Sequence, residues 1–169
     1  MNIGVIFEGN LTSGGGFQQI VNMALLLDKK KSSNRKFIFF TTNEQNQNDL
    51  LNLGIEGNII KFSIVQKLIL FLRKQNRIRK VLDKIGLVYS LDRYFDQFRI
   101  DLIYFTGGAG MALKLEYKNF ICTVWDLCHR DHPEFPEVRE NGEFEAREIV
   151  FQKVLPKAVA VIADSETGK

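Results

Sequence analysis

One short stretch carries most of the chemistry-bearing side chains: Trp125-Asp-Leu-Cys-His-Arg-Asp-His-Pro-Glu-Phe-Pro-Glu137. Both histidines, His129 and His132, lie in it, with the single tryptophan and two of the three prolines. A metal site can be drawn through Cys122, Asp126, Cys128, His129, Asp131 and His132. Their spacing matches no standard zinc pattern, so no metal is expected. Two glycine-rich turns are the other candidates for ligand contact. Gly14-Gly-Gly16 and Thr106-Gly-Gly-Ala-Gly110 each follow an apolar run, and glycine lets the backbone turn with positive φ. A dinucleotide fingerprint is incomplete, because Gln19 stands where the third glycine belongs and an extra loop, 9–13, precedes Gly14. The chain has neither a Walker-type phosphate loop nor a Gly-x-Ser-x-Gly elbow.

The elements that must position these residues are legible as alternating patterns. Ile3-Gly-Val-Ile-Phe7 has the length of a buried strand, and Ile20, Val21, Met23, Ala24, Leu26 and Leu27 recur at helical spacing. Lys36-Phe-Ile-Phe-Phe-Thr41 is a second strand, 43–53 a short helix closed by Gly54, and Asn58-Ile-Ile-Lys-Phe62 a short third strand. Residues 64–85 form one long helical pattern with Leu68, Leu72, Ile78, Val81, Leu82 and Ile85 on a single stripe. A helix over 88–98 brings Tyr89, Tyr94, Phe95 and Phe98 to the core. Strands are expected at 101–105, 120–124 and 158–163, with a helix at 143–155 before the last. Strand and helix alternating in this way predict an α/β fold: a Rossmann-like, doubly wound parallel sheet in a single domain spanning 1–169. Both glycine turns then emerge at the carboxyl edge of that sheet and face one crevice.

Composition narrows the function classes. The chain has 169 residues, 45% hydrophobic and 25% charged, as expected of a globular domain with a substantial core. A net charge of +3 is too small to imply nucleic acid. Two cysteines are too few for a disulfide scaffold, and the absence of a signal peptide or a long apolar run makes a cytoplasmic location the expectation. Basic residues cluster locally between Lys67 and Lys84, with Arg73, Lys74, Arg77, Arg79 and Lys80 set against Asp83 alone. That run reads either as the solvated face of a surface helix or as a peripheral contact with anionic lipid or glycolipid. The five successive apolar residues 68–72 favour the second, since one face alone cannot hide them.

The wording of three segments resembles a family. The early loop with Gly14, Gly15 and Gly16, the block Thr123-Val-Trp-Asp-Leu127 with His132-Pro-Glu134 and Arg147-Glu148, and the closing Val161-Ile-Ala-Asp-Ser-Glu166 look like the N-terminal half of GT-B fold glycosyltransferases. The likeness is strongest to the retaining, nucleotide-sugar-dependent family 4. It implies a Rossmann-like domain that shapes the acceptor site and faces a second domain, absent from this chain, which carries most of the nucleotide pocket. It further implies that Gly14, Gly15 and Gly16 approach the donor phosphates, and that the reaction is a front-face transfer needing no metal or other cofactor. Catalytic candidates on this basis are Asp126 and His129. Acceptor-contact candidates are Gly107, Gly108, Trp125, Arg130, His132 and Arg139. Many family members have histidine where Trp125 stands, so that residue's role does not carry over, and His129 or His132 is left to replace it. The pairs Glu137 with Glu145 and Glu140 with Glu148 have the spacing of the family's Glu-x7-Glu motif by chance, because that motif belongs to the other domain.

The resemblance therefore implies a nucleotide-sugar donor and a glycan or lipid-linked acceptor as partners, in synthesis of a surface polysaccharide. The rivals are a non-catalytic α/β binding module and a GT-B fold sugar-nucleotide epimerase. Trp125 is open between stacking on a sugar and filling the core. Asp126 is open between orienting an acceptor hydroxyl and capping a turn.

Overall fold

The structure, a computed structural model, describes residues 1–11, 17–72, 75–85 and 90–164, without the side chains of Phe17, Leu70, Asn76, Arg79 and Glu137. Six strands run Asn2–Phe7 (β1), Lys36–Thr41 (β2), Gly57–Ile59 (β3), Leu102–Phe105 (β4), Phe120–Val124 (β5) and Ala160–Ala163 (β6). They form one sheet in the order β3-β2-β1-β4-β5-β6, and every pair is parallel. Among the described residues eight α-helices accompany them: Phe17–Lys29 (α1), Glu44–Asn52 (α2), Ile64–Leu72 (α3), Asn76–Lys84 (α4), Leu91–Asp96 (α5), Cys128–Asp131 (α6), Pro136–Arg139 (α7) and Glu143–Lys153 (α8). The fold is a doubly wound α/β sheet, as the alternating pattern predicts.

The strands are apolar on both faces because both faces are covered. Side chains alternate along β1, so Ile3, Val5 and Phe7 join a core with Phe39, Tyr104, Ala24 of α1 and Leu50 of α2. Ile6 points the other way, into a second core with Phe40, Ile103, Phe105, Phe120, Cys122 and Phe95 of α5. Right-handed crossovers account for the split. Connections that step from β1 toward β3 place α1 and α2 on one face, and those that step from β1 toward β6 must place their helices on the opposite one. Gly4 lies where the second core leaves little room, since a methyl there would lie 3.2 Å from Ile100 Cγ2 and 3.3 Å from Phe40 and would push those side chains aside.

Three elements differ from the sequence pattern. The expected helix over 64–85 is two helices, with Gln75 extended at φ −91°, ψ 118° before α4. The break falls where Arg73 to Arg77 supplies five consecutive polar residues and no apolar side chain to hold a turn against the protein. The stripe expected to bury that helix is divided too: Leu82 is buried, while Leu68, Val81 and Ile85 are exposed. The sheet beneath is taken by α5, whose Phe95 packs edge-on against Phe40, with Tyr94 and Phe98 on the same ring. The expected helix over 88–98 is the shorter α5, and Tyr89 lies outside the described residues. β3 is three residues, against the five expected, and β6 starts at Ala160. Among the described residues no helix is long and apolar enough to cross a membrane.

Candidate functional site

β1 and β4 are sheet neighbours whose connections run off to opposite sides, so the space beyond their carboxyl ends is a topological switch point. β1 leads there into Glu8 and Gly9, and β4 into Thr106, Gly107 and Gly108. Gly9 and Gly108 have φ of +75° and +68°, and a Cβ on either would meet nothing within 4 Å. Backbone conformation, not crowding, calls for glycine at these two positions. Thr106 ties the strand ends together, its N–H and hydroxyl both donating to the Ile6 carbonyl at 3.3 and 3.1 Å. At Gly107 the reason is crowding: a methyl would lie 2.6 Å from Trp125 Nε1 and 3.4 Å from Ile20 Cδ1. The Trp125 indole and the first turn of α1 thus close onto the second glycine turn.

Glu8 stands at the switch point and has no motif to mark it. A lone acid after an apolar strand reads as an ordinary turn residue. In the fold, its Oε1 accepts the Met111 N–H at 2.9 Å at the start of a 3-10 helix, Gly110–Lys114. Burial pushes its carboxyl above the ordinary value, against the pull of the Met111 and Gly110 amides and of Lys114. A half-buried carboxyl that holds its proton more tightly is therefore set at the head of the crevice.

A pocket of about 330 Å³ opens beyond β4 and β5. Gly108, Thr123, Trp125 and Asp126 wall it on the sheet side, and Arg147 and Phe151 of α8 on the other. Asp126 Oδ1 accepts the Cys128 N–H at 2.9 Å, two residues on, which closes the turn leading into α6, and lies 3.5 Å from Arg147 Nη1. Arg147 also reaches Glu143, its Nε 3.8 Å from Oε2 one helical turn earlier. Asp126 thus closes the turn before α6 and also lines the pocket. Trp125 Nε1 is buried and meets no acceptor among the described residues. Its ring is half-buried against the glycine turn rather than lost in either core.

The other expected site residues are placed elsewhere. Gly14, Gly15 and Gly16 lie outside the described residues. His129 is fully buried, with its ring 4.9 Å from Phe151 and 5.8 Å from Phe144, and does not line the pocket. Its Nε2 is 3.1 Å from Glu148 Oε1. Arg130 donates to both oxygens of that carboxylate, at 2.6 and 3.1 Å, and Gln152 donates to Oε2 at 3.0 Å. Arg130 foremost, and Gln152 after it, hold the Glu148 carboxyl down to about 2, so it is ionised and can only accept, and His129 Nε2 carries the proton. These contacts pin α6 to α8. His132 is exposed, stacked on Phe135 at 5.0 Å and 3.3 Å from Glu134. Arg139 is exposed on α7 and does not line the pocket.

Compared with models of known families, with curated proteins and with solved structures, the chain matches none.

The arrangement is defined by its own chemistry. Gly107, Gly108, Trp125 and Asp126 lie together at one sheet edge, and Glu8 and Arg147 join them there. Arg147 is legible in retrospect as a cation four residues after Glu143 on a helix that returns over β5. The pathway of α8 across the sheet, which puts it there, is a tertiary property. Cys122 packs in the core, where burial pushes its thiol up to about 11. Among the described residues no three of His, Cys, Asp and Glu are placed to hold one metal ion.

Proposed function

We propose that this chain is the acceptor-side domain of a retaining glycosyltransferase, the N-terminal half of a GT-B fold, which moves a sugar from a nucleotide-sugar to a glycan or lipid-linked acceptor. The observation that carries this reading is the convergence at one sheet edge of Trp125, Asp126 and Arg147 around a pocket, beside the Gly107-Gly108 turn. A pocket of about 330 Å³ is at the low end for ligand sites and suits a sugar-sized group better than a whole nucleotide. Its lining supplies what a sugar needs: an aromatic ring, a carboxylate for hydroxyls and a guanidinium donor, from Trp125, Asp126 and Arg147. Support also comes from the wording of Thr123 to Leu127, His132 to Glu134 and Arg147-Glu148; of these, Thr123 to Asp126 and Arg147 line the pocket, and Glu148 ties α8 to α6.

In this reading Asp126 orients the acceptor hydroxyl, and Arg147 is the cation nearest the site of charge development on the leaving diphosphate. Glu8 is a second hydroxyl contact. His129 acts as a positioning residue that holds α6 through Glu148, and His132 remains the histidine with access to solvent. Donor phosphates are assigned to Gly14, Gly15 and Gly16. The site works in the cytoplasm, with the donor-binding domain supplied by a further segment.

The test is transfer from UDP-, GDP- and dTDP-sugars to a membrane extract by the full gene product, beside residues 1–169 alone. Transfer by the first and none by the second is expected, with Asp126→Asn and Arg147→Met each lowering it by about tenfold or more. If neither protein consumes a donor, while residues 1–169 are folded and Trp125 emission responds to glycan or nucleotide, the chain is a binding module instead.

A further inference from the structure

Helix α3 is apolar almost all round, and a large part of that apolar surface faces outward. Ile64, Leu68 and Phe71 fall at i, i+4 and i+7, which puts them on one face, and they are 85, 55 and 65% exposed. Val65 extends that face at 65% exposure, while Gln66 and Ile69 on the opposite side are partly covered. Lys67 flanks the stripe and is exposed. α4 presents a different surface: Arg77, Lys80 and Lys84, at i, i+3 and i+7, are all exposed, beside Val81 and Ile85 at 59 and 62%. No described acid forms an ion pair with Arg77, Lys80 or Lys84. The apolar side chains are too many and too contiguous to be the scattered hydrophobics of an ordinary surface.

We propose that the outer surface of α3 and α4 is a docking site for an anionic lipid bilayer. The chemistry selects this occupant. A bilayer with acidic headgroups accepts an apolar stripe at acyl-chain depth and meets the flanking cations at headgroup level, with the lysine stems reaching up to the phosphates. A second copy of the chain would bring the same cations against one another, and a neutral apolar groove would leave Arg77, Lys80 and Lys84 without counter-charge. The surface is separate from the pocket at β4 and β5, so lipid binding and sugar transfer succeed or fail independently.

The experiment is co-sedimentation of the 169-residue chain with vesicles of phosphatidylcholine alone, or of phosphatidylcholine and phosphatidylglycerol in equal parts. Binding to the mixed vesicles, weakened by added salt, and little to the neutral ones is expected. Two variants divide the contributions, Arg77→Glu/Lys80→Glu/Lys84→Glu and Leu68→Glu/Phe71→Glu, each expected to lower partitioning about tenfold or more. Every substituted side chain is exposed, and unchanged circular-dichroism melts confirm that the fold survives. Binding that neither variant alters, or no binding to the anionic vesicles, overturns the proposal. So does a dimer in sedimentation velocity that Leu68→Glu/Phe71→Glu abolishes, because the stripe then belongs to a second copy.

Discussion

Single residues in this chain act through contacts that composition does not announce. Gly107 is the clearest case, because the methyl of alanine would land 2.6 Å from Trp125 Nε1, against a rigid ring that cannot fold away. Gly107→Ala is expected to cost about 1–3 kcal/mol in urea unfolding. Because Trp125 is the sole tryptophan, its emission reports the displacement directly, and an unchanged spectrum would place the ring elsewhere. Glu148 makes a pH prediction. Its carboxyl falls from 4.5 to about 2 through the hydrogen bonds from Arg130, so ionised Glu148 stabilises the fold above its ordinary value. That contribution is lost as pH falls from 4.5 toward about 2. Thermal melts across this window should show the wild type losing Tm faster than Glu148→Gln, and parallel curves would remove Glu148 from the acid response. Glu8 moves the opposite way: burial raises its carboxyl, so its ionisation opposes folding as pH rises through the raised value. The Tm of Glu8→Gln relative to wild type should therefore climb as pH rises above 4.5 and level off once Glu8 is ionised in the fold. Of these three residues Gly107 and Glu148 stand in recognisable sequence patterns and Glu8 in none. The acids looked like ordinary surface residues because their partners are 103 and 18 positions away.

Elements were legible wherever apolar periodicity met a clear stop. β2 and β5 have the bounds their sequence predicts. Helix α2 adds a function that periodicity does not convey. Asn43 caps it by accepting the Asn46 N–H at 2.8 Å, and the buried Asn46 side chain then grips the loop after β1, donating to the Gly9 carbonyl at 2.6 Å and accepting the Leu11 N–H at 2.8 Å. Asn46→Ala leaves the Leu11 N–H without its acceptor and the Gly9 carbonyl with only the 3.1 Å bond from Asn43 Nδ2, for a loss of about 2 kcal/mol. Amide exchange at Leu11 should accelerate more than at Phe39 in β2; equal acceleration would show global destabilisation rather than release of the loop. α3 and α4 were misread as one helix because a continuous pattern of charges and leucines does not reveal which face has protein behind it. α5 already occupies the sheet there, so the outer helices keep apolar side chains in solvent.

The whole molecule has a built-in measure of its own opening. Cys122 is buried in the central core with its thiol pushed up to about 11, whereas Cys128 sits half-buried at the start of α6. A thiol reagent at neutral pH should label Cys128 first and Cys122 only at the rate of global unfolding, since a thiolate on β5 needs the sheet to separate from its covering helices. Equal rates would mean that the β5 edge opens locally. At this scale the amino-acid sequence by itself determined the alternation of strands and helices, the parallel doubly wound class and the position of the second glycine turn. These follow from local periodicity and from the steric rule on crossover handedness, which need no knowledge of distant residues. The tertiary structure alone decided that β1 and β4 are neighbours with Glu8 between them, that Arg147 faces Asp126, that His129 is sealed behind Glu148, and that α3 faces outward. Each is a contact between residues far apart in the chain, set by which faces of the sheet were already covered when the segments packed, and no local pattern encodes that competition for surface.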